Sequence, residues 1–201
     1  MSAGATYVFF THKQTSETHN NDFNGDNKPD LVWRNTATGA NAVWYMDNTS
    51  RLNYAYLPTL TDQNWQIVGK GDFDADGKTD LVWRNSATGV NALWYMDNNT
   101  RLSYEYLPSI TDTDWQISGV DDFNADDKPD LVWRHATTGS NVVWYMDGAT
   151  QLSYEYLSSI TDTDWQITGV GDFNADDKPD LVWRHATTGS NAVWYMRDVA
   201  K

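Results

Sequence analysis

From residue 22 the chain repeats itself every fifty residues, and each repeat opens on the same nine-residue acidic segment. The four copies begin at Asp22, Asp72, Asp122 and Asp172. A strict period of this length restricts the chain to a repeat architecture, in which each unit buries its apolar faces against its neighbours. Oxygen-bearing side chains fill the first, third, fifth and ninth places of every segment. They are Asp22, Asn24, Asp26 and Asp30; Asp72, Asp74, Asp76 and Asp80; Asp122, Asn124, Asp126 and Asp130; and Asp172, Asn174, Asp176 and Asp180.

A tightly curled loop turns alternate side chains inward, so these oxygens converge. A hard cation such as calcium takes about six to eight oxygens at about 2.3–2.6 Å. The seventh place, Lys28, Lys78, Lys128 or Lys178, can offer only its backbone carbonyl, because an ammonium is no ligand. The ninth place closes the cage. The sharp turn falls at the sixth place, Asn27, Gly77, Asp127 or Asp177, residue types that tolerate a left-handed backbone. The twelfth place is Trp33, Trp83, Trp133 or Trp183, which rules out an EF-hand. Four acidic turns without metal are the alternative. The complete ligand sets favour about four Ca2+ per chain, and magnesium, which keeps several waters, suits them less.

One unit read from Trp65 has four strand segments. Gln66 to Gly71 is the first and is Gly-rich, which suits close backbone approach near an axis. Leu81 to Arg84 is the second. Asn91 to Met96 is the third, apolar on both faces as in a doubly buried strand. Leu102 to Leu107 alternates and reads as an outer, half-exposed strand. Four antiparallel strands per unit, stacked on neighbours, describe the blade of a β-propeller. A flat solenoid is the alternative, with shorter repeats and polar caps as its usual marks.

Residues 1–201 therefore read as a single all-β propeller domain, with repeats at 22–64, 65–114, 115–164 and 165–196. Residues 1–21 hold one strand, Tyr7 to Phe10, and an irregular stretch. The fourth repeat ends after its third strand, so the N-terminal strand is expected to complete the last blade as a clasp and remove an open sheet edge. The ring is either four blades from one chain or eight blades from two chains.

The pattern Asp-Phe-Asn-x-Asp-x-Lys-x-Asp-Leu-Val-Trp-Arg resembles the calcium-binding FG-GAP repeats of integrin α-subunit propellers, and more closely the related VCBS-type repeats of bacterial proteins. The resemblance covers about residues 22–196. It implies a calcium-stabilised propeller with the metal between the first and second strands of each blade. It departs in blade number, which in such propellers is commonly about seven. The repeats are also unusually alike: Asp122 to Met146 and Asp172 to Met196 differ only at Val142 against Ala192. Family members include adhesion modules and lectins, so the resemblance implies a fold more than a function.

The formal charge of −14 argues against nucleic acid or an anionic membrane as partner. No apolar run is long enough for a membrane span. Met1 to Gly4 does not begin a signal peptide, although calcium loops of this kind would be filled outside a cell or at its surface. Without cysteine there is no disulfide or thiol chemistry. No nucleophile motif or phosphate loop is present, and His135 and His185 stand where other repeats have Asn85 and Asn35, so no catalytic residues are assigned. They read as solvated turn residues.

Eleven Trp and eleven Tyr require a role. Trp33, Trp83, Trp133 and Trp183, with Trp44, Trp94, Trp144 and Trp194, read as core. Arg34, Arg84, Arg134 and Arg184 read as structural, stacking on aromatics or pairing with Asp between blades. Trp65, Trp115 and Trp165 open the first strands beside Thr, Asp and Asn or His, and are candidates for sugar stacking as well as for packing. The function expected is a calcium-stabilised binding module, glycan-binding or adhesive, acting as monomer or homodimer. The alternative is a structural or protein-interaction scaffold whose only specific ligand is calcium.

Overall fold

A computed structural model describes residues 21–196, which form four antiparallel sheets and, within that range, no helix. Blade 1 contains β1 (Leu31–Arg34), β2 (Asn41–Asp47) and β3 (Ser50–Leu57). Blade 2 contains β4 (Trp65–Gly71), β5 (Asp80–Asn85), β6 (Asn91–Asp97) and β7 (Thr100–Leu107). Blade 3 repeats it as β8 (Trp115–Asp121), β9 (Asp130–His135), β10 (Asn141–Asp147) and β11 (Thr150–Leu157). Blade 4 shows β12 (Trp165–Gly171), β13 (Asp180–His185) and β14 (Asn191–Trp194). Every strand pairs with its sequence neighbour, the up-and-down order of a propeller blade. The expected clasp strand, Tyr7 to Phe10, lies outside the described residues.

Strand periodicity sorts the side chains onto two faces. In blade 2, Trp83 pairs with Ala92 and Leu81 with Trp94, so these four share the face turned to blade 1, here called the trailing face. Val82, Arg84 and Leu93 share the leading face, turned to blade 3. Three apolar cores follow, one per junction. Val43 and Leu57 of blade 1 meet Leu81, Trp83, Trp94 and Met96. Val82 and Leu93 meet Leu131, Trp133, Trp144 and Met146. Val132 and Val143 meet Leu181 and Trp183. Trp83, Trp133 and Trp183 are fully buried, each withdrawing on the order of 200 Å² from water.

Between consecutive first strands a glycine lies against a valine side chain of the next blade. A Cβ on Gly69 would stand 2.3 Å from a methyl of Val120, and one on Gly119 equally close to Val170. Glycine is what lets consecutive first strands approach this closely.

An arginine spans each junction. Arg34 lies 5.2 Å from the Trp83 ring centroid, Arg84 5.1 Å from Trp133 and Arg134 4.9 Å from Trp183. The Arg84 guanidinium also donates to Gly89 O, Asn91 Oδ1, Ile110 O and Asp112 O, at 2.9 to 3.2 Å. Burial pulls its pKa below the ordinary value, and the four oxygens with the indole face compensate the charge. The arginines therefore stack between blades and bind backbone, not Asp side chains.

Two expectations are corrected. Trp33 is not core: it is 41% exposed, because no described blade precedes it. The outer strands are more exposed than half: Leu102, Tyr104 and Tyr106 share one face by alternation, and all three face solvent.

Candidate metal loops and inter-blade groove

In blades 2 to 4 the acidic loop joins the first strand to the second, in blade 1 it leads into β1, and in all four its backbone is fixed by its own carboxylates. The first-place Asp accepts the sixth-place N–H: Asp22 from Asn27 at 2.7 Å, Asp72 from Gly77 at 2.8 Å, Asp122 from Asp127 at 2.7 Å and Asp172 from Asp177 at 2.9 Å. The third place accepts the fifth-place N–H, as Asn24 does from Asp26 at 3.0 Å. The fifth accepts the seventh-place N–H, as Asp76 does from Lys78 at 2.9 Å. All four sixth places are left-handed, as the residue types predict. So are the fourth places, where Ala75, Ala125 and Ala175 have φ of 59° to 62°. Left-handed alanine costs roughly 1 kcal/mol, and the sequence marks the position only in the first loop, where Gly25 has φ of 76°.

The ninth place does more than close a cage. Asp30, Asp80, Asp130 and Asp180 are buried, and both oxygens of each accept backbone N–H groups. Asp130 takes Phe123 N at 3.0 Å and Met146 N at 2.8 Å, tying the loop to the third strand. Burial pushes Asp80 and Asp130 up to about 7, against the lowering effect of those hydrogen bonds. Asp30 is raised for the same reason. Asp74 is raised by burial and by the nearby Asp76 charge.

The donor set fits a divalent cation. Ligand oxygens of Asp72, Asp74 and Asp80 lie within 4.8 Å of one another. Oxygens on a sphere of about 2.4 Å radius can stand no further apart than that. Each ninth-place oxygen accepts one N–H and keeps a further lone pair, as Asp130 does, whereas the first-place Oδ1 accepts up to three N–H groups, as Asp22 does from Asn24, Gly25 and Asp26. The seventh-place side chains reach the turn between third and fourth strands, Lys28 to Asp47 at 3.2 Å, Lys78 to Asp97 at 3.2 Å and Lys128 to Asp147 at 2.8 Å, and Lys78 also stands 3.7 Å from the loop's own Asp76. Their carbonyls remain the only contribution they can make. These pairs also put the acidic loops beside the turns between third and fourth strands.

Two further clusters look like metal sites by composition: Asp112, Asp114 and His135, and Asp162, Asp164 and His185. Their hydrogen bonds assign them otherwise. Thr137 N and Thr138 N donate to His135 Nδ1 at 3.3 and 3.2 Å, so the ring proton sits on Nε2 and is donated to Asp112 at 3.1 Å. Asn85 does the same in blade 2, accepting from Ala87 N and Thr88 N and donating to Asp62 at 3.0 Å. His135 is thus a substitute for an asparagine. The solvated-turn expectation is corrected here, since His135 is buried and links the turn to the incoming connector.

Between blades 2 and 3 an open groove of about 490 Å³ is lined by Ile110, Trp115, Trp144, Gln151, Tyr154 and Tyr156, among others. Trp115, one of the three candidate ligand tryptophans, is half-buried and stands edge-on to His135 with ring centroids 5.0 Å apart. Trp65 and Trp165 hold the matching positions, half-buried against their own junction cores. Trp144, Tyr154 and Tyr156 were not among the sequence candidates. A signal existed: Gln151 stands where blades 1 and 2 have Arg51 and Arg101, which cover Trp44 and Trp94 at 4.7 and 4.5 Å.

Sheets of consecutive antiparallel strands, packed face to face with one acidic loop per unit, define a β-propeller repeat protein. The FG-GAP-like repeat family matches residues 22–83 and 122–183, more than half of the sequence, and the chain belongs to that family. No curated protein matches it. Among solved structures, a chain in the crystal structure of a nidogen/laminin complex is similar, at 13% identity and a TM-score of 0.47. The alignment covers 82% of this chain and 60% of that one.

Proposed function

We propose that this chain is a calcium-stabilised propeller module that binds glycans in an aromatic groove between blades. The observation that carries this reading is the groove at Trp115, Trp144, Tyr154 and Tyr156, with Gln151 and Ser153 on its wall. Aromatic faces stack on the C–H groups of a sugar ring, and amide and hydroxyl groups give its hydroxyls directional partners. No acidic-loop residue lines this groove, so calcium acts by holding the blades, not by touching the sugar. The role is binding and not catalysis, and a calcium-rich extracellular or cell-surface setting suits it.

The test is a glycan array probed with labelled protein in calcium and in chelator, with Tyr154→Ala and Tyr156→Ala beside the parent. Both tyrosines are well exposed, so the variants should keep the parent melting temperature. One saccharide class bound by the parent and lost in the variants supports the reading. A blank array favours the scaffold alternative, which the near-identity of blades 3 and 4 at buried positions also motivates.

A further inference from the structure

Among the described residues the four blades make three junctions, and two blade faces are left over. The trailing face of blade 1 presents Trp33, with Trp44 tilted against it at a centroid distance of 4.7 Å. The leading face of blade 4 presents Arg184, Asn191, Val193 and Tyr195. Their counterparts at the junctions are closed. Trp83, Trp133 and Trp183 are fully buried, whereas Trp33 is not. Arg84, Asn91 and Leu93 of blade 2 are buried, whereas Arg184, Asn191 and Val193 are exposed. Arg184 keeps its bond to Asn191 Oδ1 at 3.2 Å, the counterpart of Arg84 to Asn91. Among the described residues its guanidinium lies over no ring, and none lies over Trp33.

The two faces are complementary by the rule that builds all three junctions. Each junction sets a leading Arg over a trailing Trp at 4.9 to 5.2 Å. Beside that pair, a leading Val or Leu from each of the second and third strands packs on a trailing Leu and Trp. Blade 4 offers Arg184, Val182 and Val193; blade 1 offers Leu31, Trp33 and Trp44. Among the described residues of one chain, nothing covers Trp33 or Arg184, and both are exposed. Trp and Arg are also the residue types that dominate binding energy once desolvated.

We propose that these end faces are the contact surfaces for a second copy of this chain. Blade 4 of each copy docks on blade 1 of the other, with Arg184 over the partner subunit's Trp33. Two such contacts related by a two-fold axis close an eight-bladed ring and leave no end face exposed. This inference is independent of the glycan reading.

The test is light scattering on the eluting full chain in calcium, with Arg184→Glu and Trp33→Glu as variants. The parent should elute at twice the 22.9 kDa of one chain. Each variant alone should fall to the single-chain mass with an unchanged circular dichroism spectrum, since both positions are exposed in one chain. An equimolar mixture of the two variants should regain the two-chain mass, because one intact Arg184 face and one intact Trp33 face remain. A parent of single-chain mass at about 100 µM overturns the proposal. So does a two-chain mass that survives Arg184→Glu, or an open-ended series of larger masses.

Discussion

The junction between blades 2 and 3 and the two outermost faces of the array share the same Arg and Trp positions, and at these positions they differ in what stands opposite. At the junction Trp133 is fully buried under Arg84, while at the outer faces Trp33 and Arg184 meet solvent. A blade of this type is therefore not a self-sufficient core. Its tryptophans become core only when the next arginine arrives, which is the nearest-neighbour logic of repeat proteins.

The largest expected effect tests that contrast. In an Arg184→Glu background, which keeps single chains apart, Trp133→Ala should cost about 3–5 kcal/mol in urea unfolding. In the same background Trp33→Ala should cost less than about 1 kcal/mol, because its ring is already partly wet. Equal costs would break the comparison.

The next effect separates a loop's latch from its metal oxygens. Asp130→Ala strands Phe123 N and Met146 N, so about 2–4 kcal/mol should be lost even in chelator. Asp126→Ala removes an exposed loop carboxylate and should matter mainly when calcium is present. A chelator-independent loss at Asp126 would show that the loop geometry, not metal, is what the carboxylates serve.

Acidity gives a third handle, again strongest in the inner blades. Asp80 and Asp130 stand near 7 in the folded chain against an ordinary value of 3.8. The folded state thus holds more protons than the unfolded state between those values, so metal-free stability should fall as pH rises from about 4 to about 7. Calcium needs the deprotonated ligands, so with calcium present stability should rise across the same window. Thermal melts at pH 5 and pH 7, with and without chelator, read both slopes. Parallel slopes would contradict the role given to the ninth-place carboxylates.

The smallest effect compares neighbouring blades. His135→Asn should change stability by less than about 1 kcal/mol, since Asn85 makes the equivalent three bonds in blade 2. A large loss, or loss of a bound transition metal, would restore His135 as a functional residue.

Much of this was legible in the sequence because period, alternation and turn chemistry each act locally. The fifty-residue repeat, the strand order within a blade and the left-handed sixth place all follow from residue type and spacing. What was hidden depends on partners distant in sequence. Nothing at Trp33 distinguishes it from Trp83 until one sees which face has a neighbour. The second hydrogen bond of Asp130, to Met146 N, crosses from loop to third strand. Ala125 carries no mark of a left-handed backbone, because the surrounding carboxylate network imposes it. Gln151 opens the groove by what it lacks, a guanidinium over Trp144, and that reads as ordinary variation in an outer strand.

Calorimetric titration of calcium into protein stripped with chelator tests the account most directly. Four ions bound per chain, with protons released near pH 7 and a higher melting temperature, are the predicted result. No heat of binding at millimolar calcium, with a melting temperature indifferent to chelator, would contradict it.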